Sequence, residues 1–248
     1  MKPSILLLLT VAATIFSACN LANWPLVNAQ SSIPAKFDGF VYKNRGGDLD
    51  SVIIEAFFDP VCPYSRDAWP PLQKVLDLYG SRVTFILHPF ALRRYHDNAF
   101  VTSRALHIIH KLNSTATYNL LELFFKHQEK FYSLQTNLSR ASIVKKIVKF
   151  SSRAVGKSYY SKIEEGFNDR KTDLLTRVSF KVINGLISWI TNDNYACTRG
   201  VFGTPTFFVN GFTLPDTESS LDYDAWRKII DPLSSQQSLK RDDLFHHF

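Results

Sequence analysis

One cysteine in this chain is placed where a thiol becomes chemistry. Cys62-Pro63-Tyr64-Ser65 follows an apolar run, Ser51 to Phe58, and opens a segment whose pattern predicts a helix from Tyr64 to Tyr79. A sulfur at a helix start faces unpaired backbone N–H groups and the positive end of the helix dipole. Both favour the thiolate, which is the nucleophile. Pro63 preorganises the first helical turn. Three residues after Cys62, Ser65 stands where a dithiol motif would carry its second sulfur. A hydroxyl cannot attack a mixed disulfide and release the bound partner, so the expected chemistry is monothiol exchange. Glu55 lies in the middle of a strand that reads as buried, where a lone carboxylate is costly and its pKa is raised. Asp59 suits a turn leading into the helix.

A second segment sharpens the reading. Gly203-Thr204-Pro205-Thr206-Phe207-Phe208-Val209-Asn210-Gly211 is a proline opening a short β run that Asn-Gly closes, and Asn-Gly between β-like runs signals a hairpin. Glu55, Asp59, Cys62, Pro63 and Ser65 followed far downstream by this segment resemble the DsbA-like branch of the thioredoxin superfamily, over residues 39–233; within that branch the chain is most similar to secreted plant members. The resemblance implies a thioredoxin-like α/β fold with a large all-helical insertion. It also implies a cis Thr204–Pro205 bond facing Cys62, with Pro63, Tyr64, Thr204 and Pro205 forming the substrate-binding surface, and a part for Glu55 in moving a proton at the sulfur, which an edge-facing or hydrogen-bonded structural Glu rivals evenly. Such a surface pairs with extended peptides by β-addition.

The elements that must position these residues follow from the pattern. Phe40 to Tyr42 reads as an edge strand and Val52 to Phe58 as a central strand buried on both faces. The Cys62 helix should bend or break at Trp69-Pro70-Pro71 and end at Gly80. Val83 to His88 is the next strand. Residues 91–200 lack strand alternation; helices are predicted over 95–111, 118–130, 139–150 (with Ser139 as N-cap), 157–168, 172–190 and 192–199. Strands resume at 206–209 and 212–214, and a final helix spans 222–233. The division is therefore 37–90 with 201–234 as the two halves of a thioredoxin-like domain, 91–200 as a helical insertion, and 235–248 as a tail without regular structure.

Residues 1–29 read as a signal peptide: Lys2 precedes an apolar stretch from Ile5 to Phe16, too short for a membrane span, and Val27-Asn28-Ala29 offers a cleavage site. Phe16-Ser17-Ala18-Cys19 competes as an imperfect lipoprotein box. Removal of the leader takes Cys19 with it and leaves Cys62 and Cys197. Cys197 reads first as a buried single thiol, with a structural bridge or a remote resolving role for Cys62 as the alternatives. Asn113-Ser114-Thr115 and Asn137-Leu138-Ser139 are glycosylation sequons, and with the leader they predict a secreted glycoprotein. No further segment is apolar enough to span a bilayer, and the C-terminus is no ER-retention signal.

The formal net charge of +7 is concentrated at 140–177, where ten Lys/Arg face four Asp/Glu. On an exported chain this surplus does not point to nucleic acid. His107 and His110 share a helical face without a third ligand at a recognisable spacing, so no metal is expected; His88 and His96 flank the exit of a strand that leads toward the thiol. Three functions fit. The first is thiol–disulfide exchange on protein or peptide partners through Cys62, with no bound cofactor. The second is a peptide-binding or chaperone-like module with a degenerate site. The third uses glutathione as co-substrate, in a transferase or isomerase similar to the kappa-class family, whose Ser-Pro-Tyr-Ser resembles Cys62-Pro63-Tyr64-Ser65. The oligomeric state is not written in the sequence.

Overall fold

Residues rich in Val, Ile and Phe form the centre of the molecule. The computed structural model describes residues 39–44, 51–132, 138–179, 199–215 and 221–245. The predicted leader (1–29), Asn137, Cys197 and most of the expected 192–199 helix lie outside the described residues. Five strands form one mixed sheet in the order β1-β3-β2-β4-β5, with β1 Phe40–Val41, β2 Val52–Phe58, β3 Val83–Pro89, β4 Thr206–Val209 and β5 Phe212–Thr213. β2 and β3 are parallel, Ile54 opposite Phe85 and Phe57 opposite His88. β1 and β4 close on them antiparallel. Parallel neighbours need a crossover, supplied here by α1, Pro63–Tyr79.

The β4–β5 connection is the two-residue turn that Asn-Gly predicts. Asn210 has φ 49° and Gly211 φ 84°, the conformation a hairpin turn of this kind requires at both positions. Asn210 also ties the hairpin to β2: its backbone N–H donates to the Ile53 carbonyl at 2.8 Å, and its Oδ1 accepts from the Ile53 N–H at 2.9 Å.

Alternation along β2 divides the two faces of the sheet. Phe58 packs against Trp69 of α1 and Phe207 of β4, and Phe207 meets Trp226 edge-on at 5.1 Å. Trp226 belongs to α7, Tyr223–Phe245, so α1 and α7 cover this face. Phe57, on the other face, stacks on His88 and contacts Phe208.

Between β3 and β4 come α2 (Ala99–Leu112), α3 (Thr117–Lys126), α4 (Arg140–Val155), α5 (Tyr160–Asn168) and α6 (Arg170–Ser179). α2 is the hub: α3, α4, α5 and α6 all pack on it. The packing of α5 is close enough to need a glycine. A Cβ on Gly166 would sit 2.6 Å from Ile108 Cγ2 and 3.0 Å from its Cγ1. A Gly166→Val variant should therefore lose about 2–3 kcal/mol, as overpacked cores do, read as a lower midpoint in urea unfolding at unchanged m-value.

Four expectations are corrected. The predicted break at Trp69-Pro70-Pro71 is absent, and α1 runs through both prolines. Pro70, Arg66 and Asp67 are all exposed, so carbonyls that lose an N–H partner lie on the solvent side, where water satisfies them. α2 begins at Ala99 rather than 95, because residues 92–96 are drawn into bonds with Asp59. The helix expected over 172–190 begins at Arg170, its first turn held by Lys171 N–H donating to Asp169 Oδ1 at 2.8 Å, and its expected end from 180 onward lies outside the described residues. The tail from 235 is not patternless: α7 continues to Phe245. Residues 236–245 carry Gln, Leu, Lys and Arg, good helix formers without an apolar stripe. No helix among the described residues is long and apolar enough to cross a membrane.

Candidate functional site

Cys62 closes the short loop from β2 and caps the N-terminus of α1, with extended backbone at φ −84° and ψ 123°. Its own N–H donates to the Asp59 carbonyl at 3.0 Å, and its carbonyl accepts from Arg66 N–H at 3.1 Å. Pro63 at the first helical position has no N–H, so the first unpaired helix donors near the sulfur belong to Tyr64 and Ser65. Cys62 is a free thiol, 2% exposed.

The structure brings the two sequence motifs together. The Thr204–Pro205 bond is cis, and the Cys62 thiol donates to the Thr204 carbonyl at 3.4 Å across 142 residues of chain. A groove of about 530 Å³ runs beside it, lined by Phe202, Thr204, Pro205, Thr206 and Leu214 among others. Tyr64, Phe202 and Phe212 stand exposed at 73%, 80% and 79%. Tyr64 follows Cys62 in α1 and Phe202 lines the groove, and large apolar side chains held in water mark a contact surface.

Ser65 is fully buried, and its Oγ accepts from the Asp59 N–H at 3.3 Å. Asp59 itself is a knot. Its Oδ1 accepts from Val61 N–H at 2.9 Å, while its Oδ2 accepts from Leu92 N–H at 3.0 Å and His96 Nδ1 at 2.9 Å. It fastens the Cys62 loop to the loop after β3, the turn-forming role expected of it, and accounts for His96 being drawn to this end of the sheet.

Glu55 is elsewhere. It shares the Phe57 face of β2, away from α1, and pairs with His88 Nε2 at 3.1 Å and with Arg199 Nη1. Burial pushes this carboxyl up, but the hydrogen bonds and charges of His88 and Arg199 outweigh it and hold it at about 2. The elevated carboxyl expected from burial is thus reversed, and the geometry is that of an ion-pair anchor. Arg199 also lies 3.9 Å over the Phe208 ring. Gly39 leaves room for this cluster, since a Cβ there would meet His88 Cε1 at 2.8 Å.

Two contributors escape sequence reading. Gln128, 1% exposed, donates from Nε2 to the carbonyls of Cys62 (2.9 Å) and Pro60 (3.2 Å). Tyr132 donates to Gln128 Oε1 at 3.3 Å; burial raises its phenol, Arg66 opposes, and Glu129 adds to the rise. Both come from the segment after α3, 66 and 70 residues beyond the thiol, and carry no motif. His107 and His110 pack on Phe40; burial lowers His110, whose Nδ1 lies 3.1 Å from Thr117 Oγ1. Among the described residues no group of three His, Cys, Asp or Glu is placed to hold a metal. Asn113 is half-buried, its Oδ1 accepting from Thr115 N–H and hydroxyl at 3.1 and 2.6 Å.

A family model described as thioredoxin matches residues 45–232. Among solved structures, the chain is similar to BdbD from Bacillus subtilis in its oxidised form, at 14% identity and a TM-score of 0.56 over 80% of this chain and 94% of that one. It is similar to alpha-DsbA1 from Wolbachia pipientis at 14% identity and a TM-score of 0.55 over 82% and 94%. A thioredoxin-like oxidoreductase from Silicibacter pomeroyi gives 15% identity and a TM-score of 0.53 over 79% and 92%. No curated protein matches the sequence. At these identities the structural likeness is one of fold: a thioredoxin-like sheet with a helical insertion, as in the DsbA-like proteins.

Proposed function

The chain belongs to the thioredoxin family, and from that premise we propose that it performs thiol–disulfide exchange on protein or peptide partners through Cys62. The observation that carries this reading is the 3.4 Å approach of the Cys62 sulfur to the Thr204 carbonyl beside an open groove. A substrate strand laid along Thr204 and Pro205 would be presented to the sulfur, with Tyr64 and Phe202 gripping apolar side chains.

The chemistry is a pair of displacements. The Cys62 thiolate attacks one sulfur of a substrate disulfide; a Cys62–substrate disulfide forms and the other substrate sulfur leaves as thiolate. A second thiol, on the substrate or from an external thiol such as glutathione, then attacks the mixed disulfide and returns Cys62 as thiolate. No electron is left over: attack from the substrate isomerises it, and attack by an external thiol moves the disulfide onto that thiol. Ser65 takes no part in resolution, which favours isomerisation or deglutathionylation over net oxidation. Export by residues 1–29, glycosylation at Asn113 and Asn137, and action in the secretory pathway complete the proposal.

One observation favours a second reading. Cys62 is 2% exposed, which suits a binding module whose thiol merely packs. Incubation with a cystine-bridged peptide distinguishes them. Exchange predicts a mixed disulfide on Cys62, detected by intact mass, that persists until free thiol is added and is absent in Cys62→Ala. Peptide binding without an adduct would favour the module, and an adduct with glutathione but with no peptide would favour the kappa-class-like use of the site.

A further inference from the structure

Between α2, α4 and α5 lies a cavity of about 570 Å³, separate from the Thr204 groove. Its apolar wall is made by Phe100, Val101, Val144 and Phe167, and Arg140 and Lys145 stand on its α4 side. That volume and lining match a site for a small organic ligand.

The charge around it is lopsided. Arg93 from the loop after β3, Arg140 from the first position of α4 and Arg177 from α6 hold their guanidinium carbons 5.4, 5.9 and 5.5 Å from the centre of one ring, Phe100. Arg104 lies 5.6 Å over Phe167. The acid among them, Asp173, is taken up by Arg104 and Arg177. Arg104 is further committed to Thr172 Oγ1 and the Asp169 carbonyl, at 3.1 and 2.9 Å. Burial brings the Arg104 guanidinium down; Asp173 opposes this and Arg140 and Arg177 reinforce it. Arg93, Arg140 and Lys145 make no ion pair among the described residues.

The first turn of α4 adds to this field. Ser139 Oγ accepts from Ser142 N–H at 3.3 Å, and Arg140, Ala141 and Val144 of that turn line the cavity, turning the positive helix end toward it. Glu164 and Glu165 on α5 face the same space without an ion pair among the described residues. Even with them and with Asp169, which acts on Arg104 and is itself paired with Lys111, six cations (Arg93, Arg104, Lys111, Arg140, Lys145, Arg177) meet four carboxylates. Cations crowded on one ring repel one another unless an anion joins them.

We infer that this cavity binds a small organic anion whose apolar body lies against Phe100 and Phe167 and whose oxyanion head is held by Arg140 and Lys145. Planar guanidinium pairs bidentately with a carboxylate or phosphate head, and the aromatic wall selects against inorganic anions. The site does not depend on Cys62.

Calorimetric titration of the full chain with 4-phenylbutyrate, hexyl phosphate and the neutral 4-phenylbutanol tests this. At least one of the two anions should bind saturably at one per chain, at least tenfold more tightly than the alcohol, and weaken with added salt. An Arg140→Ala/Lys145→Ala double variant should lose at least tenfold in affinity, whereas Arg140→Lys, which keeps the charge and loses the bidentate fork, should lose clearly less than the double variant. Val144→Phe, which fills the cavity and leaves the rim charges, should abolish binding; unchanged circular dichroism and Cys62 labelling would show both variants folded. Saturation by neither anion, equal affinity for the alcohol, or undiminished binding in the double variant or in Val144→Phe would each overturn the inference.

Discussion

A Ser65→Cys variant should form a reversible disulfide with Cys62 and gain turnover on dithiol substrates that the native chain lacks. The two positions are one helical turn apart, the cap and third residue of α1, a spacing compatible with the Cα separation of about 4.4–6.8 Å that disulfides require. The native residue makes one bond that a thiol replaces poorly, Ser65 Oγ accepting from Asp59 N–H. Since Ser65 is fully buried, the reduced variant should be about 1 kcal/mol less stable than the native chain. Oxidation, quenching and thiol counting should then show two thiols fewer in the variant than in its reduced form. The native chain, treated with the same disulfide substrate, should accumulate mixed disulfide because nothing local displaces the partner. Should the variant keep both thiols free under oxidation, the site does not have redox geometry and the binding module becomes the better account.

The second large effect is at Glu55. Replacing it with Gln keeps the shape and removes the charge that pairs with His88 and Arg199. Breaking a buried pair by deleting one partner costs up to about 3–5 kcal/mol; because the Arg199 side chain is 19% exposed, about 2–3 kcal/mol is expected here. The pH dependence carries the signature. The folded-state value of about 2 lies below the ordinary 4.5, so the contribution is complete above pH 4.5 and is lost as pH falls toward 2. Allowing for screening, this amounts to about 2 kcal/mol. Urea midpoints of the native chain should fall across that window, and those of Glu55→Gln should fall less. Parallel curves would mean that Glu55 is not the anchor described.

What could be read from the sequence was whatever is local or motif-borne. β2 and β3 announced themselves because a strand buried on both faces must be apolar throughout, and the Asn210-Gly211 turn because few residues adopt its left-handed backbone. The meeting of Cys62 with Thr204 was legible only through the resemblance, since 142 residues separate them. Glu55 shows what was not legible. Its burial was evident, but its protonation is decided by His88 and Arg199, and a sequence does not say which charges a fold brings to a carboxylate. The start of α2 was misplaced for a similar reason: Asp59, thirty-odd residues earlier, claims Leu92 and His96 before a helix can.

Gln128 bears on how such a chain can be taken apart. The helical segment between β3 and β4 looks like a cassette spliced into a smaller α/β unit, and a cassette invites deletion. Yet the carbonyls of Pro60 and Cys62 are capped by a side chain that the cassette supplies, and the loop leading into it is laced to Asp59. The thiol loop is thus a joint product of both parts. Deleting the helical segment would strip those caps, and a substitution in it can reach the Cys62 loop without any change to the strand or helix that carries the sulfur.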